Sequence, residues 1–225
     1  MAKGKTLWEM LTEKFSGPVE FKFYNPLKAR IGNSVTIDTL ELRDYNFFLR
    51  EIREYQRSIG GQEFLFSDYV LLARPLQGDD IWVRLRLNPV DDAKRVAGLT
   101  HHILLLQLCE EMAYNEDFYG VVTDTTGKFQ VLQEGQVTEE YWRIHDVTSA
   151  YKARVSVVQD VNNDNKVEMD EVGKQDLEYW DYWREIKDEA GQPVTEFLFI
   201  EMDGNNGWFQ LWKGREFDPE RVLVI

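Results

Sequence analysis

The chain has 225 residues, 43% of them apolar and 29% charged, which is one large globular domain or two small ones. Its 26 Lys and Arg face 40 Asp and Glu, and the net charge of −14 disfavours nucleic acid or an anionic bilayer as partner. No apolar run is long enough to span a membrane, no signal-type apolar segment follows Met1–Thr6, and a single cysteine, Cys109, excludes an internal disulfide framework, so a cytoplasmic protein is expected.

The charge is uneven. Residues 1–112 hold 15 basic and 16 acidic side chains, a net of −1, whereas residues 113–225 hold 11 and 24, a net of −13. The excess acid belongs to the second half and needs a place in the fold.

Along the chain, Leu7, Trp8, Leu11 and Phe15 share one helical face, and Gly17-Pro18 follows. This predicts a short amphipathic helix over 5–15, packed on the body. Period-2 patterns then take over. Ile81, Val83, Leu85 and Leu87 alternate with Trp82, Arg84 and Arg86, the mark of a half-buried strand. Further strands are expected at 35–38, 64–72, 129–132, 155–158, 197–202 and 208–213. Turn residues separate them, among them Gly60-Gly61, Gln77–Asp80, Thr126-Gly127 and Gly204–Gly207. Between these, Asn88, Pro89, Asp91 and Asp92 predict a short helix closed by Gly98, with a strand at 103–108 after it. Good helix formers at 107–113 keep one continuous helix to Tyr114 as the rival.

Two segments echo each other. Arg50-Glu51-Ile52 precedes Glu63-Phe64-Leu65-Phe66, and Arg184-Glu185-Ile186 precedes Glu196-Phe197-Leu198-Phe199. Each then runs into a Trp-bearing strand, at Trp82 and Trp208. The expected fold is mainly β, a duplicated antiparallel meander forming a sandwich or partly closed barrel with a short N-terminal helix. The helix takes residues 1–18, a first β half 19–112, and a second, acidic β half 113–225.

Residues 160–171 carry Asp160, Asn162, Asp164, Lys166, Glu168 and Glu171 at alternating and terminal positions. This stretch resembles the calcium loop of the EF-hand family, with Asn165 where that family has glycine. The resemblance implies oxygen ligands from Asp160, Asn162, Asp164, Glu168 and Glu171, and from the backbone carbonyl of Lys166. It covers these twelve residues alone. The flanks favour strands rather than helices, so it implies a structural calcium in a β context. Asn162–Asn165 is equally good turn chemistry, and a plain hairpin tip is the competing reading.

Catalytic signatures are absent: no G-x-S-x-G, no H-E-x-x-H, no C-x-x-C and no dinucleotide fingerprint. His101 and His102 are strand neighbours that point to opposite faces, His145 stands apart, and Cys109 reads as a small buried residue. Leu177–Arg184 is the densest aromatic stretch. As a strand it sets Tyr179 and Trp183 on one face and Trp180 and Tyr182 on the other. Core is the ordinary reading for most of these. With Trp208 and Trp212, they also supply a candidate binding surface. The function expected from sequence is a non-enzymatic interaction protein that presents an acidic, aromatic-rich surface to a basic protein partner. A carbohydrate-binding β-sandwich with structural calcium is the alternative, and an enzyme without a local motif is the third.

Overall fold

A computed structural model describes residues 27, 29–59, 62–89, 101–144, 151–159, 175–188, 190–204 and 206–225. The helix expected at 5–15 and the loop 160–171 lie outside them, as do residues 90–100. The fold is mainly β. The elements are β1 (Ser34–Ile37), β2 (Phe47–Ile59), β3 (Gln62–Ala73), β4 (Ile81–Pro89) and β5 (His101–Ala113), then α1 (Glu116–Val122). After the helix come β6 (Lys128–Gln133), β7 (Gln136–Arg143), β8 (Tyr151–Gln159), β9 (Gln175–Lys187), β10 (Pro193–Asp203), β11 (Trp208–Phe217) and β12 (Val222–Val224).

Asn88 and Pro89 end strand β4 instead of opening a helix, and 101–113 is strand throughout. The helical rival there loses because β5 is paired along both edges, with β4 and β11. The β11 ladder along Gln107–Ala113, continuous with a stretch that β4 also pairs up to Gln107, outweighs the modest helix propensity there. Helix α1 was not expected. Asn115 caps it by accepting the amide N–H of Phe118 at 3.0 Å, a signal visible in sequence as Asn-Glu-Asp.

All pairings are antiparallel, and they run in order β2-β3-β4-β5-β11-β10-β9. Strand β8 pairs with both ends of that series, with β2 through 153–159 and with β9 through 151–155. The sheet therefore curls into a partly closed barrel. β1 and β12 extend it beyond β2, and β7 and β6 extend it beyond β9. The meanders β2-β3-β4 and β9-β10-β11 take equivalent places, joined by β5 on one side and β8 on the other. Their sequence echoes coincide only in part. Glu63 stands opposite Ser58, whereas Glu196 stands opposite Arg184, so the Arg-Glu-Ile echo is slipped by eight residues. Trp208 faces Asp203, seven residues past Glu196. Seven residues past Glu63 is Val70, which faces Arg84 rather than Trp82, a slip of two. Both slips are even, so every side chain keeps its face.

Alternation then builds two apolar layers on the outside of the barrel. In the first half, Ile52, Tyr69, Leu71, Val83, Leu85, Leu87, Ile103 and Leu105 pack with Val35, Ile37, Phe47 and Leu49. In the second half, Trp180, Tyr182, Leu198, Ile200, Phe209 and Leu211 pack with Phe129, Tyr141 and Val122, and α1 adds Phe118 and Tyr119. The other face of the same strands lines the inside. There Tyr55, Phe66, Val155, Leu177 and Tyr179 form one small cluster, and Leu104, Leu106, Phe199 and Trp212 another. Strand β4 is thus buried on both faces, not half-buried: Arg84 and Arg86 are 0% and 2% exposed.

At the β5–β11 seam Gly214 lies opposite Leu106. A Cβ there would stand 1.8 Å from the carbonyl oxygen of Leu105, backbone that cannot yield without moving the strand. Gly214→Ala is expected to cost about 2–3 kcal/mol by overpacking. Urea denaturation should show the midpoint falling with the slope unchanged.

Candidate functional site

The inside of the barrel holds an ion cluster. Asp68 on β3 and Glu201 on β10 each lie five residues past the echoing Glu63 and Glu196, so the two meanders each point one acid inward from the same place. Between them stand Arg84 and Arg86 of β4, two residues apart and therefore on one face.

Arg86 grips Asp68 with both arms of its guanidinium, Nε to Oδ1 at 2.8 Å and Nη2 to Oδ2 at 2.7 Å. The same Nη2 reaches Glu201 Oε1 at 3.3 Å. Arg84 Nη1 donates to Glu201 Oε2 at 2.7 Å, and its Nη2 donates to Gln210 Oε1 at 3.0 Å. The phenol of Tyr55 donates to Glu201 Oε1 at 3.2 Å. Arg53, paired with Glu51, comes within 3.9 Å of Glu201. Three guanidiniums and three carboxylates make the cluster neutral. Aromatic rings close around it: Arg84 lies 3.7 Å from the ring centre of Trp212, and Arg86 lies 4.3 Å from that of Phe199 and 4.5 Å from that of Phe66.

Burial alone would push the Glu201 carboxyl up. Arg84, Arg86 and Arg53 overcome that and hold it down at about 2. Burial pushes the Tyr55 phenol well above its usual range, so it stays a donor.

Next to the cluster the barrel opens into a cavity of about 410 Å³. Glu201 and Arg53 reach it from inside, and Leu177, Asp203 and Asn206 line its walls with Gln210, Glu111 and Trp208. Gln210 links floor to rim: its carbonyl accepts from Arg84, and its Nε2 donates to Glu111 Oε2 at 2.6 Å. Asn206 holds Asp203 in the same manner, Nδ2 to Oδ2 at 2.7 Å. Trp208, at the start of β11, is 46% exposed. Tyr114 and Glu110 are exposed on the other face of the same sheet, where Tyr114 stacks on Phe209. A second hollow, of about 550 Å³, is lined by apolar residues such as Phe48, Leu72 and Leu76 together with Arg50 and Arg74 and a single acid, Asp44.

The aromatic residues named from sequence separate into two kinds. Tyr179, Trp180, Tyr182 and Trp212 are buried, within 2% exposure, and build the interior. Trp183 and Trp208 are exposed, at 40% and 46%. They do not form one surface. Trp183 lies opposite Trp142 across β7 and β9, and Trp142 carries the Lys128 ammonium over its ring at 3.9 Å. Asp160, Asn162, Asp164, Lys166, Glu168 and Glu171 lie outside the described residues. Among the described residues, no group of three or more His, Cys, Asp and Glu could hold a metal. Cys109 is exposed, not buried, because it sits where the β5–β11 register shifts. Sequence reading missed Glu111, Gln210, Asp203, Asn206 and Arg53. The one available signal was the alternation that puts Gln210 on the same face as Trp208 and Trp212.

Glu201→Gln removes a charge that two buried guanidiniums share. It is expected to lower stability by about 3–5 kcal/mol, as for a broken buried pair. The same carboxylate sets an acid limit. Its folded value lies below its ordinary value of 4.5, so its contribution is complete above pH 4.5 and is lost as pH falls towards about 2. Melting temperatures measured down that range should fall more steeply for the wild type than for Glu201→Gln.

No helix of the described residues is long and apolar enough to cross a membrane. Comparison with protein-family models, curated proteins and solved structures finds no match to this chain.

Proposed function

We propose that this is a non-enzymatic interaction protein that engages a basic protein partner at the acidic mouth of its barrel. The observation that carries the proposal is Trp208, which stands exposed on the rim of a cavity walled by Glu111 and Asp203. Large exposed aromatics anchor protein interfaces, and carboxylates around them select positive charge. Two amides orient these acids, Gln210 holding Glu111 and Asn206 holding Asp203. Arg53 in the same cavity is committed to Glu51 and Glu201. A cytoplasmic setting belongs to the proposal, and the free, exposed thiol of Cys109 is compatible with it.

Binding of the full chain to immobilised basic, neutral and acidic peptides and to a glycan panel tests this. Retention on the basic peptides is expected, with release at about 1 M salt, where screening acts over ~3 Å. Retention on glycans alone would replace the proposal with the carbohydrate-binding reading, and retention on nothing would reject it.

Calcium at 160–171 is a second proposal, supported by the spacing of Asp160, Asn162, Asp164, Glu168 and Glu171. The segment leaves β8 at Gln159, opposite Glu51, and enters β9 at Gln175, opposite Val155. Millimolar calcium should raise the melting temperature and magnesium should not; a temperature unmoved by calcium rejects the site.

A further inference from the structure

We infer that the cavity beside Trp208 receives one arginine or lysine side chain, seated between the indole face and the Glu111 carboxylate. This rests on the interaction reading above and names what enters the mouth.

The barrel ends here in polar groups that cannot close it. Apolar side chains fill the inside where Leu104, Leu106, Phe199 and Trp212 meet. At the cavity the inward positions are Glu201, Asp203, Gln210 and Glu111, with Leu177 as the apolar contribution from β9. A stretch of apolar side chain pushed in would strand these carboxylates without water. A long aliphatic stem with a cationic head meets the lining at both ends. The stem lies against Leu177 and the indole, and the head meets carboxylate.

Glu111 is prepared for this. Its Oε2 accepts from Gln210, whose own carbonyl is fixed by the buried Arg84. Among the described residues Gln210 is its one hydrogen-bond partner, and it forms no ion pair with them. Its orientation is set from below by a relay that ends in a rigid, buried guanidinium, so little ordering remains to be done on binding. The neutral ion cluster beneath adds no repulsion to an arriving cation, since Arg53, Arg84 and Arg86 are matched by Glu51, Asp68 and Glu201. An anion would meet the Glu111 carboxylate.

The test is titration of the full chain with a hexa-arginine peptide, read from the indole N–H resonance of Trp208 in nitrogen-15 spectra. Trp208→Phe assigns that resonance by removing it. The expected result is a shift at Trp208 with Trp142 and Trp183 unmoved, and an affinity about tenfold lower for Glu111→Gln, the loss of ~1.4 kcal/mol. Glu111 is exposed, so the variant should melt with the wild type. Gln at 111 keeps the shape and a hydrogen bond to Gln210, so charge alone is removed. Peptide binding with Trp208 unmoved and Glu111→Gln unaffected overturns the cavity and leaves the interaction reading standing. Absence of any binding overturns both.

Discussion

The ion cluster around Arg84 and Arg86 is the constraint on which the remaining structure depends. Each meander has an apolar layer on its outer face, so each half already has a reason to fold. The halves meet inside through two small apolar clusters, which leave buried charge still to be matched. Their inner faces carry Asp68 and Glu201, two acids in equivalent places that would repel one another in a dry interior. The first half supplies Arg84 and Arg86, which bind both. The second half supplies at the matching face Gln210, which accepts from Arg84, and Trp212, on which Arg84 lies. The halves are complementary, not identical. Two copies of either inner face would bring together like charges.

Such a cluster is a weak source of net stability, because desolvating six charged groups offsets most of their attraction. Its effect is on registration. A purely apolar interior between two twisted sheets tolerates sliding, while a guanidinium fork on a carboxylate does not. The even slips between the two meanders show why registration matters. A displacement of two residues leaves every side chain on its own face and costs little in burial, so the apolar pattern alone cannot choose among such registers. The bidentate pairing of Arg86 with Asp68 and the reach of Arg84 to Glu201 do choose.

Fold class was legible because it depends on period. Alternation at 81–87, 197–202 and 208–213 placed strands β4, β10 and β11, and Gly-Asn-Asn-Gly marked the turn before Trp208. What could not be read was which residues meet inside the partly closed barrel. Arg84 and Arg86 alternate with Val83, Leu85 and Leu87 as solvent-facing residues of a half-buried strand do, and nothing local distinguishes that from a strand whose second face is buried with an acid from over a hundred residues away, Glu201. The same blindness applied to the aromatics. Tyr179 and Trp183 share a face by period, yet β8 runs beside β9 only through Gln175–Tyr179, and Trp183 lies beyond it. One is 2% exposed, the other 40%. The cavity was illegible for the same reason: Glu111 and Gln210 are opposed through the β5–β11 pairing, which joins the two halves of the chain.

The closure also relates the charge asymmetry to the mouth. The cluster sequesters three arginines of the first half, two of that half's acids, and one acid of the second, and leaves the remaining excess of acid outside it. At the cavity this leaves Glu111 and Asp203 on the rim with a neutral floor. Without its arginines, burial would push the Glu201 carboxyl up rather than leave it a matched charge. As it stands, the floor is a fixed array of paired charges with little left to give. On the rim, Gln210 links Arg84 to Glu111, and Trp208 stands exposed beside them. On the proposed function, a barrel whose interior is tightly paired directs binding to its edge, with the buried ions as the frame that holds Glu111 in place.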